Sequence, residues 1–64
     1  MTAQARITGI IARQSDASLR DMARRLQHDH RDGAEVVLSA VLDALMARLS
    51  ESAFVAFCAE LEAA

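Results

Sequence analysis

The sequence predicts an all-α protein, a small bundle of four short helices near residues 3–14, 18–30, 33–49 and 51–62. The chain has no proline and only two glycines, so few residues interrupt helices. Its apolar residues recur three and four positions apart, which is the spacing of helix faces. Hydrophobic residues form 53% of only 64 positions, a large share for one small domain spanning residues 1–64. This surplus predicts that dimerisation completes the core.

The first helix, residues 3–14, is predicted from one apolar face. Ile7, Ile10 and Ile11 stand at the i, i+3, i+4 spacing that brings side chains together. Gly9 weakens a helix by about 1 kcal/mol relative to alanine, unless it permits a neighbouring backbone to approach closely. Three isoleucines also suit a short strand, but a lone strand has no partner in this chain.

The second helix, residues 18–30, is predicted to be amphipathic. Ser18 followed by Asp21 resembles a capping box, with aspartate in place of glutamate. Arginines and other polar residues surround an apolar face formed by Leu19, Met22, Ala23 and Leu26.

The stretch LQHDHRDGAEVV, residues 26–37, crowds together five side chains that could bind a metal ion, namely His28, Asp29, His30, Asp32 and Glu35. On a helix, residues i and i+2 point about 200° apart, so His28 and His30 could share an ion only in a loop. No third strong ligand stands at a suitable spacing. The sequence therefore predicts no metal site.

A helix boundary explains the same stretch. Asp32 is expected to cap the third helix, with the Glu35 side chain reaching back to the cap and Gly33 easing the turn. Both histidines and Arg31 then fall in the last turn of the preceding helix, where positive charge is favourable.

The third helix, residues 33–49, is the most apolar segment. Glu35, Ser39 and Asp43 form its narrow polar edge, four positions apart. A helix with so little polar surface is expected to be surrounded on several sides. Its predicted seam follows 4-3-4 spacing through Leu38, Leu42, Leu45 and Leu49, beside a second stripe of Val37, Val41 and Ala44.

The fourth helix, residues 51–62, is expected to begin after a Ser50 cap, although one continuous helix through position 50 is an alternative. One side of this helix is expected to bury Phe54, Phe57 or Cys58, and Leu61. The apolar seam predicted as an interaction interface consists of Leu38, Val41, Leu42, Leu45, Leu49, Phe54 and Phe57.

Catalysis is not expected. Cys58 lies between apolar neighbours in FVAFCAEL, and a thiol buried in such surroundings is expected to be inert. The chain has no glycine-rich phosphate loop, zinc-ligand spacing or nucleophile elbow. We therefore expect neither an enzyme nor a cofactor.

Composition also predicts where the protein acts. The longest apolar run falls short of 18 residues, and the first ten residues lack the apolar region of an export signal. With one cysteine, these features predict a cytoplasmic protein. All seven basic residues are arginine and alanine is abundant, which is typical of GC-rich coding in a bacterium or phage.

A charged surface is the second candidate site. The candidate residues for contact with nucleic acid or an acidic partner are Arg13, Arg20, Arg24, Arg25 and Arg31. The alternative is that these arginines only solvate a helix surface beside Asp21. SLRDMARRL, residues 18–26, resembles the first helix of a helix-turn-helix, with Ala23 at its small position. The resemblance ends there, because Gln27 replaces the expected glycine, Gly33 replaces a branched apolar residue, and the following helix is apolar and acidic.

Together these patterns predict a small non-catalytic interaction module. It would act as an adaptor, inhibitor or accessory subunit that binds a partner protein or itself through apolar helix faces, and its composition also suits a phage- or plasmid-encoded protein. The alternative is a small DNA-binding regulator that uses the arginines around Arg20, Arg24 and Arg25.

Overall fold

The computed structural model describes residues 3–63, with side chains from residue 5 onwards, and contains no strand within that range. Four helices follow one another: α1 (Ala3–Ala12), α2 (Asp16–Leu26), α3 (Ala34–Arg48) and α4 (Glu51–Ala63). The predicted all-α class and number of helices are confirmed. α3 packs against each of the other three helices, most extensively against α2.

The core lies where α1, α2 and α4 meet the buried side of α3. Leu19, Val41 and Leu45 are fully buried at its centre. Its buried hydrophobic cluster comprises Ile11, Leu19, Ala23, Val41, Leu45 and Phe57, one or two from each helix. Each helix therefore gains its stability from the shared core, as expected for helices this short.

The predicted apolar face of α2 is confirmed, but the predicted start of the helix is wrong. Leu19 and Ala23 are buried, and Met22 and Leu26 pack against the core. Ser15, rather than Ser18, is the N-cap, because its hydroxyl accepts a hydrogen bond of 3.1 Å from the Ser18 amide. The earlier cap adds a turn of helix in front of Leu19.

α2 also ends at Leu26, four residues before the predicted end. Its carboxyl end tightens, since the His28 amide donates to the carbonyl of Arg25 and the Asp29 amide to that of Leu26. The Asp29 carboxylate then accepts the Arg31 amide at 2.9 Å, a local bond that competes with helix. His28, His30 and Arg31 consequently lie in the loop and not in the last turn of α2.

The predicted Asp32 cap of α3 is wrong. Gly33 occupies the N-cap position with φ of 87° and without a side-chain cap bond. This left-handed conformation favours glycine, because a Cβ would crowd the following carbonyl. The Gly33 carbonyl accepts hydrogen bonds from the amides of Val36 and Val37, which start the helix.

The Ser50 cap of α4 is confirmed. Its hydroxyl accepts a hydrogen bond of 3.2 Å from the Ala53 amide, and its carbonyl accepts one from the Phe54 amide. Leu49 is extended, with φ of −90° and ψ of 155°, so α3 and α4 are separate helices and the continuous alternative is wrong.

Three residues differ from expectation in their surroundings. Gly9 does not permit close approach of a neighbouring backbone, since a Cβ built there would meet no atom of a neighbouring segment within 4 Å. Ile10 is exposed, while its neighbours Ile7 and Ile11 face the core. Cys58 is half-buried and lies outside the buried cluster, because Phe57 takes the inward position on α4.

None of the helices over residues 3–63 has the length and apolar character needed to cross a membrane.

Candidate interaction surfaces

The predicted apolar seam divides into an inner and an outer set. Val41, Leu45 and Phe57 belong to the buried core of the single chain. The outer set, which packs on the core while remaining half-buried, consists of Leu38, Leu42, Leu49 and Phe54. Of the predicted seam residues, only the outer set is open to a second molecule while the fold is intact.

An open groove of about 720 Å³ runs between α1 and α3, and the sequence pattern did not reveal it. Its walls are apolar and are formed mainly by Ile7, Ile11, Val36, Ala40, Ala44 and Ala47. Val36 is 55% exposed, so a large hydrophobic side chain stands in solvent at the groove. Because alanine side chains are short, this side of α3 does not fill the space beside α1.

The groove has an acidic rim. Glu35, Ser39 and Asp43, predicted as the polar edge of α3, line it as exposed residues. Neither carboxylate forms an ion pair with the side chains of residues 5–63. The groove therefore combines an apolar floor with negative charge that the described part of the fold does not neutralise.

Arg48 closes one end of the groove and anchors α1. Its guanidinium donates hydrogen bonds to the carbonyls of Ile11 and Ala12, in the last turn of α1, and to that of Gln14, just after the helix. It also donates to the Asp16 carboxylate at 3.2 Å. A cation at this position satisfies carbonyls that have no partner within the helix. Sequence reasoning missed this role because Arg48 and its hydrogen-bond partners are 32 or more positions apart in the sequence.

Two arginines on α2 already pair with carboxylates of this chain. Arg24 donates to Glu60 on α4 at 3.0 Å, and its guanidinium carbon lies 5.5 Å from the centre of the Phe57 ring. Arg25 pairs with Asp21 one turn earlier, also at 3.0 Å. The first pair joins α2 to α4, whereas the second stays on the surface of α2.

Arg31 holds the loop between α2 and α3. Its guanidinium and backbone amide both donate to Asp29, with the shortest contact at 2.6 Å. These hydrogen bonds lower the pKa of Asp29 to about 2, and the Asp29 carboxylate in turn raises the pKa of Arg31. A phosphate that binds here would compete with the Asp29 carboxylate for this guanidinium.

Arg13 and Arg20 form no ion pair with the described side chains. The Nε atom of Arg20 is buried without a hydrogen-bond partner, and Arg13 is exposed after α1. The five predicted arginines thus separate into three paired with local carboxylates and two without one, rather than forming one uniformly free cationic face.

The histidines and the cysteine do not converge. His28 and His30 are exposed in the loop, and a ring nitrogen of His28 lies 3.2 Å from the Gln27 amide nitrogen. Among residues 5–63, no three histidine, cysteine, aspartate or glutamate side chains are placed to hold a metal ion. Cys58 is a free thiol.

Comparisons with known proteins return no relative: no family description, no characterised protein and no solved structure matches this chain. The features of this chain that bear on its function are therefore the groove, its rim and the outer apolar residues.

Proposed function

We propose that this protein is a non-catalytic interaction module that binds a partner protein in the groove between α1 and α3. It would act in the cytoplasm of a bacterium, or for a phage or plasmid, as an adaptor, inhibitor or accessory subunit. The observation that carries the proposal is the open apolar groove beside a solvent-exposed Val36. Its volume of about 720 Å³ is comparable to that of known ligand sites.

The proposal follows from the energetics of apolar surface. Each Å² of apolar surface that a partner removes from water contributes about 25 cal/mol to the free energy of binding. Val36 and the alanine wall of α3 form one continuous apolar surface rather than scattered apolar residues, so a single partner can cover all of it. The groove is held by Arg48 at one end and by the core residue Ile11 beneath it, and it is formed before a partner arrives.

Capture of a partner from the native host tests the proposal with a matched pair of variants. Val36→Gln removes an exposed valine at the groove, and Val55→Gln removes an equally exposed valine on α4, outside the groove. We expect the unaltered protein and Val55→Gln to retain one partner in fixed ratio after nuclease and high-salt washing. Val36→Gln should lose most of it.

Three results would contradict this proposal. Equal retention by both variants would exclude the groove, and the absence of a protein in fixed ratio would exclude an interaction module. Recovery of nucleic acid, with proteins lost after nuclease, would favour the DNA-binding alternative and its arginines, since phosphate contacts weaken steeply with salt.

We also propose that the chain forms a homodimer through the outer apolar set, Leu38, Leu42, Leu49 and Phe54. The molecule exposes 4646 Å², whereas a monomeric protein of 6.9 kDa is expected to expose about 4,000 Å². The excess approaches the roughly 800 Å² that each partner buries in a standard interface. The groove is not part of this outer set, so both associations can coexist.

A further inference from the structure

We infer that the groove binds an amphipathic helix with an apolar face and basic side chains along its flank. This inference depends on the proposed function, because it names the chemistry of the partner at the same groove. The juxtaposition that carries it is an alanine-lined apolar floor beside two carboxylates that lack cationic partners among the described side chains.

The shape of the floor suits a helix. Ala40, Ala44 and Ala47 recur at spacings of four and three along α3, so their small side chains form one stripe on its surface. A second helix can approach such a stripe closely and place larger apolar side chains against Ile7 and Val36. The lined part of α3, residues 35–48, is about 20 Å long and accommodates three to four turns.

The rim determines the charge of the partner. Glu35 and Asp43 lie on the outer edge of the floor, about two turns apart, so basic residues on one flank of a docked helix can meet both. Arg48, the cation that lines the groove, is occupied by the α1 carbonyls and Asp16. The unsatisfied charge of the groove is therefore negative, and a basic helix complements it.

A second copy of this chain does not supply that helix. The arginine-rich amphipathic helix of this protein is α2, and its apolar residues Leu19 and Ala23 are fully buried. Presenting that face to another molecule would open the core. Nucleic acid is also a poor occupant, because its phosphates would meet the two carboxylates.

The test uses two fluorescein-labelled peptides of 18 residues and the full chain. Both peptides carry leucines three and four positions apart on one face, with alanine elsewhere, and differ only in having arginine or glutamate on the flanks. We expect the arginine peptide to bind, measured by anisotropy, and the glutamate peptide to bind at least about tenfold more weakly. Amide resonances of residues along α1 and α3 at the groove should shift on binding.

Two double variants of equal net charge test whether the preference for the arginine peptide comes from the rim of the groove. Glu35→Gln with Asp43→Asn should weaken binding of the arginine peptide about fivefold, and added salt should reduce that difference. Asp32→Asn with Glu62→Gln removes the same charge away from the groove and should change affinity less than about twofold. Circular dichroism establishes that both variants keep their helices.

The inference is overturned if neither peptide binds, if both bind equally, if the shifts fall outside the groove, or if the control variant loses as much affinity. These outcomes are separate from the proposed function. If capture of a partner depends on Val36 but is unchanged in the Glu35 and Asp43 variant, the proposed interaction module stands. The inference that the partner is a basic helix is then overturned.

Discussion

The two glycines occupy opposite kinds of backbone position, and alanine should therefore have opposite effects. Gly33 has φ of 87°, where a Cβ is unfavourable, so Gly33→Ala should destabilise the fold by about 1–2 kcal/mol. Gly9 lies within α1 with open space around it, so Gly9→Ala should stabilise by about 0.5–1 kcal/mol. The chain lacks tryptophan and tyrosine, so urea unfolding followed by circular dichroism is the measurement.

Each glycine serves as the control for the other, because both changes add one methyl group. A stabilised Gly33→Ala would mean that the loop before α3 does not need the left-handed conformation. A destabilised Gly9→Ala would mean that α1 packs more closely there than its surroundings indicate.

At single residues, one of the three predicted helix caps was correct. Ser50 caps α4 as expected. Ser15 and Ser18 are three positions apart and both suit a cap, and the sequence does not indicate which the fold uses. Asp32 lost its predicted role because the chain turns through Gly33, a conformation that the choice of residue permits but does not specify.

At the scale of helices, α1 depends on a side chain from α3. We expect Arg48→Met to destabilise the protein by about 1–2 kcal/mol, because it removes hydrogen bonds to the α1 carbonyls while keeping most of the apolar stem. The Asp16 contact adds little, since that carboxylate is half-exposed. Amide hydrogen exchange should accelerate in α1 more than in α2 or α4.

Arg13→Gln supplies the control, because this neighbouring arginine is exposed and forms no ion pair with the described side chains. It should leave both stability and exchange nearly unchanged. Equal effects of the two changes, or uniform acceleration over all helices, would contradict a specific Arg48 anchor.

The helices also differ in how much their patterns could predict. α2 has one narrow apolar face, and Leu19 and Ala23 are buried as its spacing indicates. α3 is apolar almost all round, so spacing could not distinguish the side facing the core from the sides facing a groove or a second molecule. The groove itself depends on where α1 docks, and that position is set by contacts distant in sequence, among them those of Arg48.

At the scale of the whole molecule, composition predicted the surplus of apolar surface but not its location. The molecule measures 34 × 25 × 15 Å, so it is thin in one direction and exposes more surface than its mass requires. A flat arrangement around α3 leaves apolar residues both at the groove and in the outer set. The proposed partner and the proposed dimer would each cover one of these areas.

Two leucines on α3 distinguish the core from the proposed dimer interface. Leu45 is fully buried, and a carboxylate there costs several kcal/mol, a large part of the stability of so small a domain, so Leu45→Glu should unfold the chain. Leu42 is half-buried on the outer set, so Leu42→Glu should retain helical circular dichroism. Sedimentation equilibrium should give about twice 6.9 kDa for the unaltered protein and the single mass for Leu42→Glu. An unaltered protein that sediments as a monomer at high concentration, or a Leu42→Glu variant that remains dimeric, would exclude this interface.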